Sequence, residues 1–205
     1  MASTDLHPAV TSDPDTKVSG NLISALVGLH GRIFGALEKA TELWLPGLLA
    51  RLTFAAVLFG YYINAAQTKL DGGIFSLSVG AYAQIVPPVI EAVGYDVTQI
   101  ALPWTLIVYA GTYAEFLLPV LIVVGLFSRL SAIGMLIFIG VQSFVDIQWH
   151  GVTPEIAGAW FDRFQDAIIF DQRLLWAFPL MYLVLKGAGS ISLDGLLGRL
   201  QMKQG

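Results

Sequence analysis

Apolar residues along this chain gather in long runs broken by short polar stretches, preceded by one segment in which they recur periodically. Over residues 21–44, Leu22, Leu26, Leu29, Ile33, Leu37, Ala40 and Trp44 recur at steps of three and four, while Arg32, Glu38, Lys39 and Glu42 fall elsewhere on the helical wheel. That spacing predicts an amphipathic helix over 21–45, either lying in a membrane interface or packed on the protein's own bundle. Four long apolar runs follow. Residues 52–68 carry no charge and are flanked by Arg51 and Lys69; residues 103–128 are interrupted only by Glu115; residues 130–145 are uncharged and continue to His150. The fourth, 174–185, reaches the roughly 20 residues needed to cross a bilayer only if it starts near Ala167 and tolerates Asp171 and Arg173. The pattern predicts an all-α integral membrane four-helix bundle, spanning 46–188, with the amphipathic helix before it and a short segment, 189–205, after it. Residues 1–20, polar and acidic with Pro8 and Pro14, read as a disordered cytoplasmic tail.

Composition removes the soluble alternative. Hydrophobic residues make up 56% of the 205 and charged residues 13%, about half of the roughly 25% usual in soluble domains. Mean hydropathy is +0.70. Too few charges exist to cover a water-facing surface of this size, so membrane lipid is the expected solvent. A net charge of −4 argues against a nucleic-acid partner, which would require a dense basic face. The chain has no cysteine, which removes disulfides, thiol nucleophiles, Cys-ligated metal and iron–sulfur clusters from its own chemistry. Of its three histidines, His7, His30 and His150, only His150 lies near a predicted span, which argues against a haem held between two histidines. A lone histidine is also a weak metal signal, so no metal site is expected.

A fifth uncharged run, 72–90, tests the topology. It holds Gly72, Gly73, Gly80, Gln84 and the pair Pro87-Pro88. With four spans and a cytoplasmic N-terminus, eight of the eleven lysines and arginines lie inside and three (Lys69, Arg163 and Arg173) outside. A fifth span would give six and five. The positive-inside rule favours four spans with both termini cytoplasmic, and makes 72–90 an external helix or re-entrant segment capping the bundle.

Polar residues inside the spans are the best guide to function, because each is costly in hydrocarbon. At about 1.5 Å rise per residue, Asn64, Glu115, Gln142 and Arg173 all fall about 20 Å from the cations at the inner edge, on four different helices. Gln67, Lys69, Thr112 and Asp146 form a second layer just beyond. Gln142, Asp146 and His150 are four apart and share one stripe. These positions predict a polar pocket opening outward, with Tyr61, Tyr109, Tyr113, Trp149 and Trp176 as aromatic walls. Glu115, Lys69 and Asp146 are the candidate catalytic groups, since a carboxylate beside a cation at such depth can hold or move a proton. Asn64, Gln67, Thr112, Gln142, His150, Arg173, Tyr113 and Trp149 are the candidate binding residues. A buried Glu–Lys or Glu–Arg pair that only ties helices together explains Glu115 equally well. Arg51 and Arg129 read as snorkelling anchors.

Several motifs in order resemble the DoxX family of membrane proteins. They are Arg51-Leu-Thr-Phe-Ala-Ala-Val-Leu-Phe-Gly ending in Lys69-Leu70, then Glu115 one span before Gly125-Leu126-Phe127-Ser128-Arg129-Leu130, and finally Gly189-Ser190-Ile191-Ser192-Leu193-Asp194. Together they cover about residues 48–197. The resemblance implies a four-helix protein of the bacterial cytoplasmic (inner) membrane and a link to oxidoreduction. It points to a quinone-linked subunit or a partner of an oxidative- or sulfur-stress redox complex. It carries over Lys69, Glu115 and Arg129 only. Three functions stay open at this stage. They are a subunit of a quinone-linked oxidoreductase fed by a partner, a non-catalytic membrane anchor in a redox or metal-stress assembly, and a small transporter. Each implies a protein partner subunit or a homo-oligomer.

Overall fold

The computed structural model describes residues 14–203, with side chains from residue 24 onward. The chain divides into two compact units, Met1–Glu42 and Leu43–Gly205. The first contains one helix, Pro14–Thr41. It begins seven residues before the expected start and ends short of Trp44. Proline at a helix's first position lacks only an N–H that would be unsatisfied anyway, so Pro14 starts the helix where it was read as part of the tail. The rest of that tail, residues 1–13, lies outside the described residues. Within this helix Leu26, Leu29, Ile33 and Leu37 follow the amphipathic spacing, and Thr41 Oγ1 donates to the Leu37 carbonyl at 2.8 Å.

The second unit is a multi-pass membrane bundle. Four of its helices are long and apolar enough to cross a membrane: Leu45–Thr68, Leu102–Val124, Ser128–Gln148 and Ile168–Lys186, here the first to fourth spans. Each packs on its sequence neighbours and the fourth returns to the first, closing an up-down-up-down ring. Phe54, Leu58, Tyr62, Ile122, Met135, Ile139, Leu180 and Leu183 meet at its centre. Leu52, Val57, Leu106, Phe116, Ile133, Phe144, Leu174 and Phe178 are exposed on its outside. This inversion of the soluble pattern is what a lipid solvent requires. The fourth span does start at Ile168 and takes in Asp171 and Arg173. Its first turn is π-helical (Ile168–Gln172).

The first span also contains a π-helical turn, Ala55–Phe59. A uniform α-helix advances about 100° per residue, so side chains four apart drift steadily around it. The wider turn slows that advance. Phe54, Leu58, Tyr62 and Ala66, each four after the last, therefore all stay buried.

The run 72–90 does not span. Ser78 caps the short helix Val79–Ile85, its hydroxyl accepting from the Ala81 amide at 3.1 Å. A second short helix, Pro87–Ala92, follows. Tyr82, Val86 and Ile90 pack on Val108 of the second span, and Tyr109 donates to the Phe75 carbonyl at 2.8 Å. The segment caps the end of the bundle that carries Lys69, as its glycines, serines and paired prolines suggest.

The opposite end is tied by Arg51, which is buried and is not a snorkelling anchor. Its Nε donates to the carbonyls of Ile122 and Val123, each at 3.2 Å, its Nη2 to Val123 at 2.6 Å, and its Nη1 to the Ile191 carbonyl. One guanidinium thus satisfies the last carbonyls of the second span and holds the C-terminal segment. Gly125, at φ +72, ends that span, with its amide on the Leu121 carbonyl at 2.9 Å. Asp194, on the C-terminal helix Leu193–Met202, accepts from the amides of Phe127 and Ser128, both at 2.8 Å, and so caps the third span from a distance. Partial burial pushes the Asp194 carboxyl up. Hydrogen bonds from Ser128 and Phe127 and the nearby Arg51 charge outweigh it and hold the group below its ordinary value.

A depressed carboxylate favours the folded state above the ordinary carboxylate pKa, and the benefit disappears as pH falls through the folded value. Thermal unfolding of the wild type should therefore show a stability increment that is lost below about pH 4. Asp194→Asn should lose about 1 kcal/mol at neutral pH and show a shallower acid limb, by loss of the cap. An Asp194→Asn stability profile superimposable on wild type from neutral pH down to below about pH 4 would contradict this cap.

Candidate functional site

Near the Lys69 end the four spans bring together two carboxylates, Glu115 and Asp146, and two cations, Lys69 and Arg173. Lys69 follows the first span directly. Glu115 sits on the inward face of the second, with Val108, Thr112, Pro119 and Ile122. Lys69 Nζ lies 2.7 Å from Glu115 Oε2 and 3.0 Å from Oε1, and also donates to the Ala65 carbonyl at 3.3 Å. Lys69 is 3% exposed and Glu115 5%. Both charges are thus out of solvent, each compensated by the other. Removing one partner of such a buried pair typically destabilises by about 3–5 kcal/mol.

Asp146 does not join this pair. It forms an ion pair with Arg173 of the fourth span, whose Nη1 also donates to Ser143 Oγ at 2.8 Å. Tyr62, fully buried, links the first span to the third. Its hydroxyl donates to Gln142 Oε1 at 3.3 Å, and Gln142 Nε2 donates to the Tyr61 hydroxyl at 2.9 Å. The ring of Trp176 lies 5.8 Å from that of Tyr61. Polar groups from all four spans therefore gather in one half of the bundle, and the apolar core fills the other.

A cleft of about 590 Å³ reaches this cluster between the second and third spans. Lys69, Glu115, Gln142, Asp146, His150 and Tyr61 line its polar end. Ala110, Gly111, Ala114, Leu118, Gly134 and Phe138 line its apolar length. Gly134 brings the two helices close: a Cβ there would stand 3.1 Å from Leu118 Cδ2. At the mouth Ile107, Ile137 and Val141 are exposed on the outer faces of their spans. The cap closes the top with Gln84 and Ile85, and the Gln84 carbonyl is 3.1 Å from His150 Nε2. The cleft is a hydrophobic slot with one hydrogen-bonding end, the form expected of a site for an amphipathic small molecule. Among the described residues, no cluster of three or more histidine, aspartate or glutamate side chains is placed to hold a metal ion.

The structure thus brings together Lys69, Glu115, Gln142, Asp146 and His150 of the expected set. It separates the others. Asn64 and Gln67 are exposed and line no part of the cleft. They share its depth but not its direction, because the π-helical turn in the first span resets which side chains face inward. Thr112 is buried, off the cleft lining, and its hydroxyl has no partner among the described residues. Arg173 stands behind Asp146 instead of in the cleft. Tyr113 is half-buried and donates to the Ile74 carbonyl, holding the cap. Trp149 is exposed and packs edge-on against Phe144. Sequence reasoning missed Tyr62, Ser143, Gln84 and the glycines. Gly111 and Gly134, inside long helices, were the available signal, since interior glycine marks close approach.

Burying an unpaired hydroxyl is unfavourable, so Thr112→Val should raise stability by about 1 kcal/mol and leave ligand binding in the cleft unchanged. Chemical unfolding of the two proteins checks this, and a destabilised Thr112→Val would mean that the hydroxyl has a partner in the membrane. Compared with models of protein families, with curated proteins and with solved structures, the chain matches none.

Proposed function

We propose that this chain is a DoxX-like subunit of a quinone-linked membrane oxidoreductase or of an oxidative- or sulfur-stress redox complex. In this reading it sits in a bacterial cytoplasmic membrane with both termini inside. The observation that carries the reading is the cleft, apolar along its length, flanked by exposed Ile107, Ile137 and Val141 and ending on Lys69, Glu115, Gln142, Asp146 and His150. A quinone has the matching shape: an isoprenoid tail soluble in lipid and a ring with two carbonyl oxygens. Entering sideways from the acyl chains, it would lay its tail between the second and third spans and present a carbonyl to the polar end. The second amide N–H of Gln142 and the Tyr61 hydroxyl, which only accepts in the structure, offer donors there. Reduction of a quinone to a quinol takes two electrons and two protons. The Lys69–Glu115 pair and Asp146 can supply or hold protons, whereas the electrons must come from a partner subunit or soluble donor. The positive-inside distribution of Lys and Arg supports the orientation.

A second reading has its own support. Lys69 and Glu115 satisfy each other on both carboxylate oxygens, as in a pair that only locks helices together. The chain would then be a membrane anchor for a redox or metal-stress assembly.

The two readings separate on one experiment. Protein purified in mild detergent is extracted and its quinone measured by mass spectrometry, for wild type, Glu115→Gln and Val141→Trp. Val141 is exposed at the cleft mouth, so its substitution blocks entry without disturbing the core. The oxidoreductase reading expects quinone on wild type and about tenfold less on both variants, the loss of roughly one good polar contact or of access. Wild type without quinone, or with as much as both variants carry, would leave the anchor reading in its place.

A further inference from the structure

A second depression, also about 590 Å³, lies at the Arg51 end of the bundle. Its walls are the start of the third span (Phe127, Ser128, Arg129, Leu130), the end of the fourth and the loop after it (Lys186 to Ser190), Leu43, and Asp194 with Gly195. The charges around it are one-sided. Over residues 125–131 and 186–203 there are four cations, Arg129, Lys186, Arg199 and Lys203, and one carboxylate, Asp194. That carboxylate already accepts from the Phe127 and Ser128 amides. Arg129 and Lys186 are both exposed and neither forms an ion pair among the described residues. Arg129 occupies the first turn of a helix, where the macrodipole disfavours a cation unless an anion stands nearby. Its Nε lies over the loop, 3.6 Å from where a Cβ of Gly187 would be.

The surroundings are apolar. Leu43, Phe127 and Leu130 are exposed around the depression. Beside it the C-terminal helix carries Leu193, Leu196, Leu197 and Leu200 at the spacing of one helical face, all exposed. Ser192 Oγ caps that helix, accepting from the Gly195 amide at 3.0 Å, and Arg199 Nη2 donates to the Ser190 carbonyl at 3.1 Å. These contacts fix the helix at the ends of the spans, the level at which lipid headgroups lie. An exposed leucine face with cations along its edges is the pattern of a helix lying in a membrane interface.

We propose that this end of the bundle is a binding site for a phosphate-bearing anion, the headgroup of an anionic phospholipid. Arg129 and Lys186 take the phosphate, the leucines of the C-terminal helix take the adjacent acyl region, and Arg199 and Lys203 add attraction to neighbouring anionic headgroups. Free inorganic phosphate would satisfy the two cations but not the leucine face, so the lipid is the favoured source.

The test uses the full chain in mild detergent and measures its thermal midpoint with phosphatidylglycerol, phosphatidylcholine or inorganic phosphate, together with native mass spectrometry of the lipid retained. Phosphatidylglycerol should raise the midpoint, remain bound through ionisation, and lose its effect at high salt. Arg129→Gln/Lys186→Gln should bind it about 30-fold more weakly, from about one surface-cation contribution each. Lys186→Gln alone, at an exposed helix end where folding is not at stake, should weaken it about fivefold. Equal stabilisation by phosphatidylcholine, or unchanged phosphatidylglycerol affinity in Lys186→Gln, would overturn the site. Stabilisation by inorganic phosphate to the same extent, with phosphatidylglycerol adding nothing, would overturn the lipid as its source.

Discussion

The buried ion pair between Lys69 and Glu115 is the constraint around which this bundle is arranged. Two opposite charges with almost no exposure are tolerable in a membrane only if they meet directly, and they do, at 2.7 Å. Meeting fixes the end of the first span against the second. It fixes the height at which the cap begins, because Lys69 leads into it and its carbonyl accepts from the Ser78 amide at 2.9 Å. It also fixes the polar end of the cleft. Tyr62, Gln142 and Tyr61 extend that polarity toward the third span, and Arg173 with Asp146 and Ser143 extends it to the fourth. The Tyr62 hydroxyl, the Gln142 amide and the Arg173 Nη1 each find a side-chain partner there, so hydrogen bonds as well as packing hold the polar half of the bundle together.

The two ends solve different problems. At the Lys69 end, a buried pair, Lys69–Glu115, and a partly exposed one, Asp146–Arg173, stand beside a cleft that reaches the outer face of the bundle. At the Arg51 end, Arg51 and Asp194 are spent on backbone groups: helix-terminal carbonyls for one, helix-terminal amides for the other. The turn between the second and third spans is thereby gripped from both sides. Gly47 lets the loop after the fourth span approach, since a Cβ there would sit 2.6 Å from the Ala188 carbonyl carbon.

The spans and the cap were legible because lipid imposes length and apolarity on the sequence directly, and because the count of lysines and arginines separates four crossings from five. Glu115 and Lys69 were legible for the same reason, as charges at the margin of hydrocarbon. Direction around the helix was not. Asn64 has the right depth and the wrong azimuth, because the π-helical turn at Ala55–Phe59 leaves no mark in a pattern counted at 3.6 residues per turn. The pairing of charges was also hidden. Asp146 could meet Lys69 or Arg173 on height alone, and only the packing of the third span on the fourth chooses Arg173. Arg51 looked like an anchor because its neighbours along the chain are apolar. Its true partners, Ile122, Val123 and Ile191, are 70 and more residues away.

The claim that Lys69 and Glu115 act as one unit is tested most directly by a double-mutant cycle. Unfolding free energies are measured for wild type, Lys69→Met, Glu115→Leu and the double substitution. The account predicts that each single change destabilises by about 3–5 kcal/mol, because it leaves a lone buried charge, and that the double change recovers most of that loss. Additive single effects, with the double variant as unstable as their sum, would contradict it.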